Sequence, residues 1–317
     1  MKILRIGVIG MGHLGTYHLQ KYLKMPDVEV IGVADLIEEK VRRGADTCRG
    51  KACTNYRDLI GMVDAVSIAV PTQAHHEVAK AFLEAGANVL LEKPISTTLE
   101  EADDLVSMAE AKGLILQIGF VERFNPAIVA LSEVLHKPLF IEIHRLHPFF
   151  DRGTDVDVIL DLMVHDLDIL LHFIDTPIRS IEAVGASVLS DKPDIANVRL
   201  IFESGCVANI TASRITTKTL QKIRFFCTDG YHAVDYAKRE LLSLTRISSA
   251  DGKSQIIENK IDIQPHDPLE EEIRSFINAV RTRSKPVISG REGREVLALA
   301  LRIGEEIERY RSSMPGG

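Results

Sequence analysis

The chain has 317 residues, 45% of them apolar and 26% charged, and a formal net charge of -7. That length predicts two domains rather than one core, and the dispersed, net-acidic charge offers no basic field for nucleic acid, so a small molecule is the expected partner. No segment is long and apolar enough to span a bilayer. The four cysteines, Cys48, Cys53, Cys206 and Cys227, form no C-x-x-C pair, which predicts reduced thiols, a cytoplasmic protein and no metal site.

The first apolar run leads into Gly10-Met11-Gly12-His13-Leu14-Gly15, a G-x-G-x-x-G between a predicted strand and a predicted helix. Gly10 permits a tight turn, Gly12 lets a pyrophosphate approach the backbone and Gly15 lets the helix pack on the strand. His13 and Leu14 complete the loop at the helix N-terminus, where phosphate charge is favoured. Residues 28–34 predict a second parallel strand ending at Asp35, whose carboxylate can accept the adenosine ribose hydroxyls. The same acid would repel a 2′-phosphate, and Leu36 and Ile37 supply no arginine to hold one, so NAD is expected in preference to NADP. Taken alone, Asp35 is also compatible with an ordinary exposed strand-end turn.

Residues 65–70 predict a strand, 74–85 a helix, 88–91 a strand, 99–111 a helix and 114–119 a strand. This alternation predicts an α/β Rossmann domain, a doubly wound parallel sheet, over residues 1–121. Pro71, Thr72 and His75 stand after the third of its longer strands as candidates for the cofactor pocket, with Thr72 also placed to cap the following helix. Glu92-Lys93-Pro94 ends the next strand, at the sheet edge where ligands bind. Pro94 biases Lys93 toward an extended backbone.

Past residue 120 the texture changes to alternating runs at 139–147, 198–210, 221–227 and 240–247. They predict an α+β domain over 122–317 with an open, mostly antiparallel sheet. Its helices fall at about 268–281 and 291–310, the last returning to the first domain. The free sheet face is expected to bury itself in a homodimer or homotetramer.

Residues 158–171 predict a helix that is apolar around most of its circumference. Asp161, His165 and Asp168 interrupt it at spacings that put all three on one face. Buried without partners they would be costly, so they must face partners, a cleft or water. A catalytic stripe and an internally braced Asp-His pair both satisfy that condition, whereas a metal site lacks a recognised ligand spacing.

With these motifs assembled, the chain resembles the Gfo/Idh/MocA family. The resemblance is carried by Gly10 to Gly15, Pro71-Thr72-Gln73-Ala74-His75, Glu92-Lys93-Pro94, and Asp161-Leu162-Met163-Val164-His165 with Asp168. It implies a bound nicotinamide and oxidation or reduction of a sugar or cyclitol carbon. It further implies that Lys93 sits between nicotinamide and substrate, and that Asp161 and His165 contact the reacting hydroxyl. Two departures bear on pocket shape: Met163 stands where the family often has glycine, and residues 151–155 replace a glycine-rich stretch.

A narrower similarity, carried by Gly119-Phe120-Val121-Glu122-Arg123-Phe124-Asn125-Pro126 and residues 161–168, is to the branch acting on nucleotide-linked amino sugars, such as UDP-N-acetylglucosamine 3-dehydrogenases. It makes Arg123 and Asn125 candidates for substrate hydroxyl or phosphate oxygens, although an Asn-Pro turn needs no ligand. The expected reaction is NAD-dependent hydride transfer at a secondary carbinol of a sugar, cyclitol or nucleotide-sugar. His165 or Lys93 would be the base, with Asp161 orienting the environment. The alternatives are an NAD-dependent glycosidase using transient oxidation and a non-catalytic nucleotide-responsive regulator.

Overall fold

In a computed structural model, which describes residues 3–149, 156–248 and 254–313, the short apolar runs of the first part become a parallel sheet. In chain order the elements are β1 (Leu4–Ile9), α1 (His13–Tyr22), β2 (Val28–Ala34), α2 (Glu38–Cys48), β3 (Lys51–Cys53), β4 (Ala65–Ile68), α3 (His75–Glu84), β5 (Asn88–Glu92), α4 (Leu99–Ala111) and β6 (Leu116–Gly119). The strand order is β3-β2-β1-β4-β5-β6, every pair parallel. All five residues of β5 are buried, as expected of a strand covered on both faces. The order reverses between β1 and β4, and the crevice outside the carboxyl ends of such strands is the ligand position of open α/β sheets.

Local chemistry sets the helix starts. Thr98 accepts a hydrogen bond from the Glu101 N–H and caps α4, with two acids in the first turn favoured by the helix dipole. Helix α1 starts differently, at Gly12, with no side-chain cap and no acid in its first turn.

The second sheet follows α5 (Pro126–Ser132), capped by Asn125. Its elements are β7 (Pro138–Leu146), a π-helical turn at Ile159–Met163 running into α6 (Val164–Phe173), then β8 (Ile178–Ala186), β9 (Ile195–Phe202), β10 (Val207–Ser213), β11 (Leu220–Cys227), β12 (Gly230–Asp235), β13 (Glu240–Ser248) and β14 (Ser254–Asn259). The order is β14-β13-β12-β11-β7-β10-β9-β8, and only β7 with β10 is parallel. In β7, Ile141, Ile143 and Arg145 are buried while the residues between them are not, which is the alternation of a sheet covered on one face. Phe173 of α6 packs edge-on against Phe225 on the covered side, ring centroids 5.7 Å apart.

One predicted run is corrected here. Residues 198–210 are not continuous, because Gly205 at φ +84 turns the chain and splits them into β9 and β10. β8, β12 and β14 have no counterpart among the predicted runs; in β14 the adjacent Ile256 and Ile257 are both exposed, so no alternation marks it.

Helices α7 (Pro268–Thr282) and α8 (Gly290–Ser313) close the chain. The chain divides into two units, residues 1–121 with 267–297 and residues 122–266 with 298–317. The core of the first gathers Ile6, Val8, Leu19 and Tyr22 with Ile273, Phe276 and Val280 of α7. No helix among the described residues is long and apolar enough to cross a membrane.

Candidate active site

The glycine-rich loop has the shape that a dinucleotide needs. At Gly10, φ is +88 and a Cβ would stand 2.4 Å from the Ala69 carbonyl oxygen, so no other residue fits. A Cβ on Gly15 would meet the Gly10 oxygen at 1.7 Å, whereas one on Gly12 would meet nothing within 4 Å. Gly12 therefore borders open space, where a pyrophosphate can reach the backbone and the uncapped N–H groups of α1. His13 and Leu14 are exposed in the first helical turn. Asp35 follows β2 and accepts hydrogen bonds from the N–H of Met11 at 2.7 Å and of Ile37 at 2.9 Å. It thereby ties the glycine loop to the end of β2. A carboxylate has about four acceptor positions, so two such bonds leave capacity for ribose hydroxyls. These residues fit an NAD.

Further along the same edge, the predicted cap is corrected. Thr72 lies in a 3-10 turn, Thr72–Ala74, and makes no side-chain cap, because Ala74 occupies the position before α3. Pro71 is exposed, while His75 is 1% exposed. His75 faces the carbonyls of Pro94 at 2.7 Å and Val70 at 3.0 Å, so its ring is committed to backbone rather than open to a pocket. Burial pushes this imidazole below its ordinary value, and the two carbonyls oppose that shift. Lys93 is half-buried beyond the buried Glu92 at the end of β5.

In the second unit the predicted stripe separates. Asp161 sits in the π-helical turn and His165 in the first turn of α6, both half-buried. Asp168 turns inward: its carboxylate accepts two hydrogen bonds from Arg123 at 2.8 and 2.9 Å, with side-chain exposures of 0% and 5%. Although three helical residues leave the two only about 60° apart, Asp168 is buried on Arg123 whereas His165 is half-buried. Asp166 is held in the same way by Arg145 of β7, at 2.8 and 2.9 Å. A π-turn adds one residue to the helical repeat and is frequent at functional sites. Here Asp161 lies within it.

Arg123 and Asn125 differ from their predicted substrate-facing role. Arg123 spends its guanidinium on Asp168 and on His172 Nδ1 at 2.9 Å. Asn125 caps α5 and donates to Glu122 and to the Tyr236 carbonyl, each at 3.1 Å. Both are buried supports. Arg145, Asp166 and Tyr236 escape sequence reading because nothing local marks them as partners; Arg145 lies 4.9 Å above the Tyr236 ring. Met163 is fully buried, and the departure at residues 151–155 lies outside the described residues.

Two family models match the chain. Residues 4–120 match the oxidoreductase family with an NAD-binding Rossmann fold, and residues 136–232 match the GFO/IDH/MocA C-terminal domain. The chain is 37% identical over 309 residues to UDP-N-acetylglucosamine 3-dehydrogenase of Acidithiobacillus ferrooxidans, covering 97% of this chain and 98% of that protein. A solved structure of that enzyme superposes with a TM-score of 0.91 at 36% identity, covering 98% of this chain and 99% of the other. Myo-inositol 2-dehydrogenase of Thermotoga maritima is 27% identical over 329 residues, 98% of each chain.

Proposed function

The chain belongs to the Gfo/Idh/MocA family of NAD-binding oxidoreductases, and we propose that within it this enzyme oxidises the 3-hydroxyl carbon of UDP-N-acetylglucosamine or a close nucleotide-linked amino sugar. The observation that carries this reading is the end-to-end similarity to an enzyme of that activity, 37% over 97% of the chain.

When bound, the nicotinamide supplies the hydride acceptor. Asp35 takes the adenosine ribose, and the loop of Gly10, Gly12 and Gly15 takes the pyrophosphate. Lys93 donates a hydrogen bond to the substrate oxygen and stabilises negative charge developing there. His165 accepts the hydroxyl proton, and Asp161, on the preceding turn, orients that environment. Arg123 and Asn125 serve as supports for α6 and α5. The four free cysteines support a reducing, cytoplasmic setting. The uncovered sheet face, which carries the ring cluster Phe140, Phe226 and Tyr231, supports a homo-oligomer through the second unit.

The test is purified protein with NAD and, in turn, UDP-N-acetylglucosamine, free N-acetylglucosamine and myo-inositol. Reduced-nicotinamide absorbance is followed and the products are weighed by mass spectrometry. NADH formation with loss of two hydrogens from the UDP-sugar is expected. NADH with myo-inositol alone would overturn the substrate, and cleavage of a glycoside without net NADH would overturn the reaction.

A further inference from the structure

A buried polar chain in the first unit takes no part in the chemistry above. The Tyr22 hydroxyl lies 2.7 Å from Ser67 Oγ, which lies 3.1 Å from His18 Nδ1, and His18 Nε2 lies 3.1 Å from Glu92 Oε1. Tyr22 and His18 belong to α1, Ser67 to β4, and Glu92 is the last residue of β5. None of the four is more than 9% exposed. Glu272 of α7 brings a carboxylate oxygen within 4.8 Å of the ligand-type atoms of His18 and Glu92. Gly119 leaves the room needed: a Cβ there would stand 3.2 Å from the Glu92 carboxyl carbon.

With an ionised Glu92 and a neutral His18, the chain has one consistent direction. An ionised carboxylate only accepts, and a neutral imidazole donates from one nitrogen and accepts at the other. With Nε2–H donating to Glu92, Nδ1 accepts from the Ser67 hydroxyl and Ser67 accepts from Tyr22. The side chain just before Lys93 is thus anchored to α1 and β4.

The residue just after Lys93 is anchored as well, from α3, through the 2.7 Å contact of His75 Nδ1 with the Pro94 carbonyl. Two buried histidines, 1% exposed each, therefore hold the neighbours of the lysine on either side. We propose that His18 and His75 are positioning residues that bracket Lys93 and fix the backbone from which it projects. The inference rests on the role assigned to Lys93 above, and the bracket itself lies wholly within the first unit.

The experiment compares wild type with His18→Ala, His18→Gln, His75→Ala and His75→Asn. Glutamine can reproduce the donor at Nε2 and asparagine the donor at Nδ1, so each conservative variant restores one contact. The first readout needs no substrate: the rate of reductive methylation of Lys93, followed by peptide mass spectrometry on protein whose cooperative unfolding has been verified. The second is kcat with the NADH dissociation constant.

The alanine variants are expected to change Lys93 labelling by about threefold or more and to lower kcat by about 10- to 100-fold, the scale of a misplaced catalytic group. NADH affinity should hold, and the glutamine and asparagine variants should recover most of both losses. Ser67→Ala, which loosens His18 without removing it, should shift labelling in the same direction by a smaller amount and serves if His18→Ala does not fold. Wild-type labelling in the folded alanine variants, or conservative variants as impaired as the alanines, would overturn the bracket. A wild type that oxidises no sugar counts against the proposed function, and the labelling comparison still decides the bracket.

Discussion

Replacing Lys93 with methionine keeps an unbranched side chain and removes its ammonium, and His165→Ala removes the imidazole. Each is expected to lower kcat by about 10² to 10⁴, the range of a lost acid-base or charge-stabilising group. NAD affinity should be nearly unchanged, because neither residue belongs to the glycine loop or to Asp35. Turnover at constant saturating NAD, together with NADH fluorescence titration, checks both halves; near-normal kcat in both variants would contradict the assignment. The residues that sequence reads well are those whose chemistry is local. Gly10 is required by its own φ and by the Ala69 carbonyl beside it, and Asp35 is placed by the strand that precedes it. Arg123 shows the opposite case, since its partner Asp168 lies 45 positions away and no spacing rule connects a turn to a helix that far along.

At the scale of elements, the segment entering the π-turn is held by a third buried ion pair. Arg214 donates to Asp194 at 2.9 Å and to the Val156 carbonyl at 3.0 Å, and the Val158 N–H donates to the Pro193 carbonyl. Asp157 then accepts from the N–H groups of Ile159 and Leu160 and starts the turn. Burial alone would raise the Asp194 carboxyl, but the N–H groups of Leu189, Val188 and Ser190 with the Ser190 hydroxyl hold it below the ordinary carboxylate range. A folded-state value lower than the unfolded one gives stabilisation that is present above the unfolded value, about pH 4, and lost as pH falls through the folded value.

Asp194→Asn is therefore expected to cost about 3 kcal/mol at neutral pH by leaving Arg214 buried without its countercharge. It should also flatten part of the acid loss of stability. Urea unfolding of both proteins at about pH 7 and about pH 3 checks this, and equal midpoints at neutral pH would contradict it. Periodicity recovered helices such as Leu99–Ala111 because caps and apolar spacing agree there. It missed the π-turn, since one added residue in a mostly apolar run leaves the pattern unchanged, and it merged β9 with β10 because Gly205 alone marks their turn.

For the whole molecule, a sheet with one covered face leaves apolar side chains to be accounted for. Phe226 and Leu242 are 38% and 39% exposed on the uncovered side, and Arg224 pairs there with Glu142 at 2.6 Å. With a homo-oligomer proposed through this face, Phe226→Glu should reduce the mass measured by sedimentation to that of one chain while leaving the far-ultraviolet spectrum unchanged; an unaltered mass would remove the sheet from the interface. The two-unit architecture was legible because the texture of the sequence changes near residue 120. The assignment of α7 to the first unit was not, since an amphipathic helix does not say which core its apolar face joins.

In the proposed reaction, hydride passes from the 3-carbon of the amino sugar to NAD. UDP-N-acetylglucosamine carrying deuterium at that carbon tests it directly, with mass spectrometry of both products. Deuterium in the reduced nicotinamide and a 3-oxo sugar lacking it is the predicted result; NADH without label, or label retained in the sugar, would contradict the account.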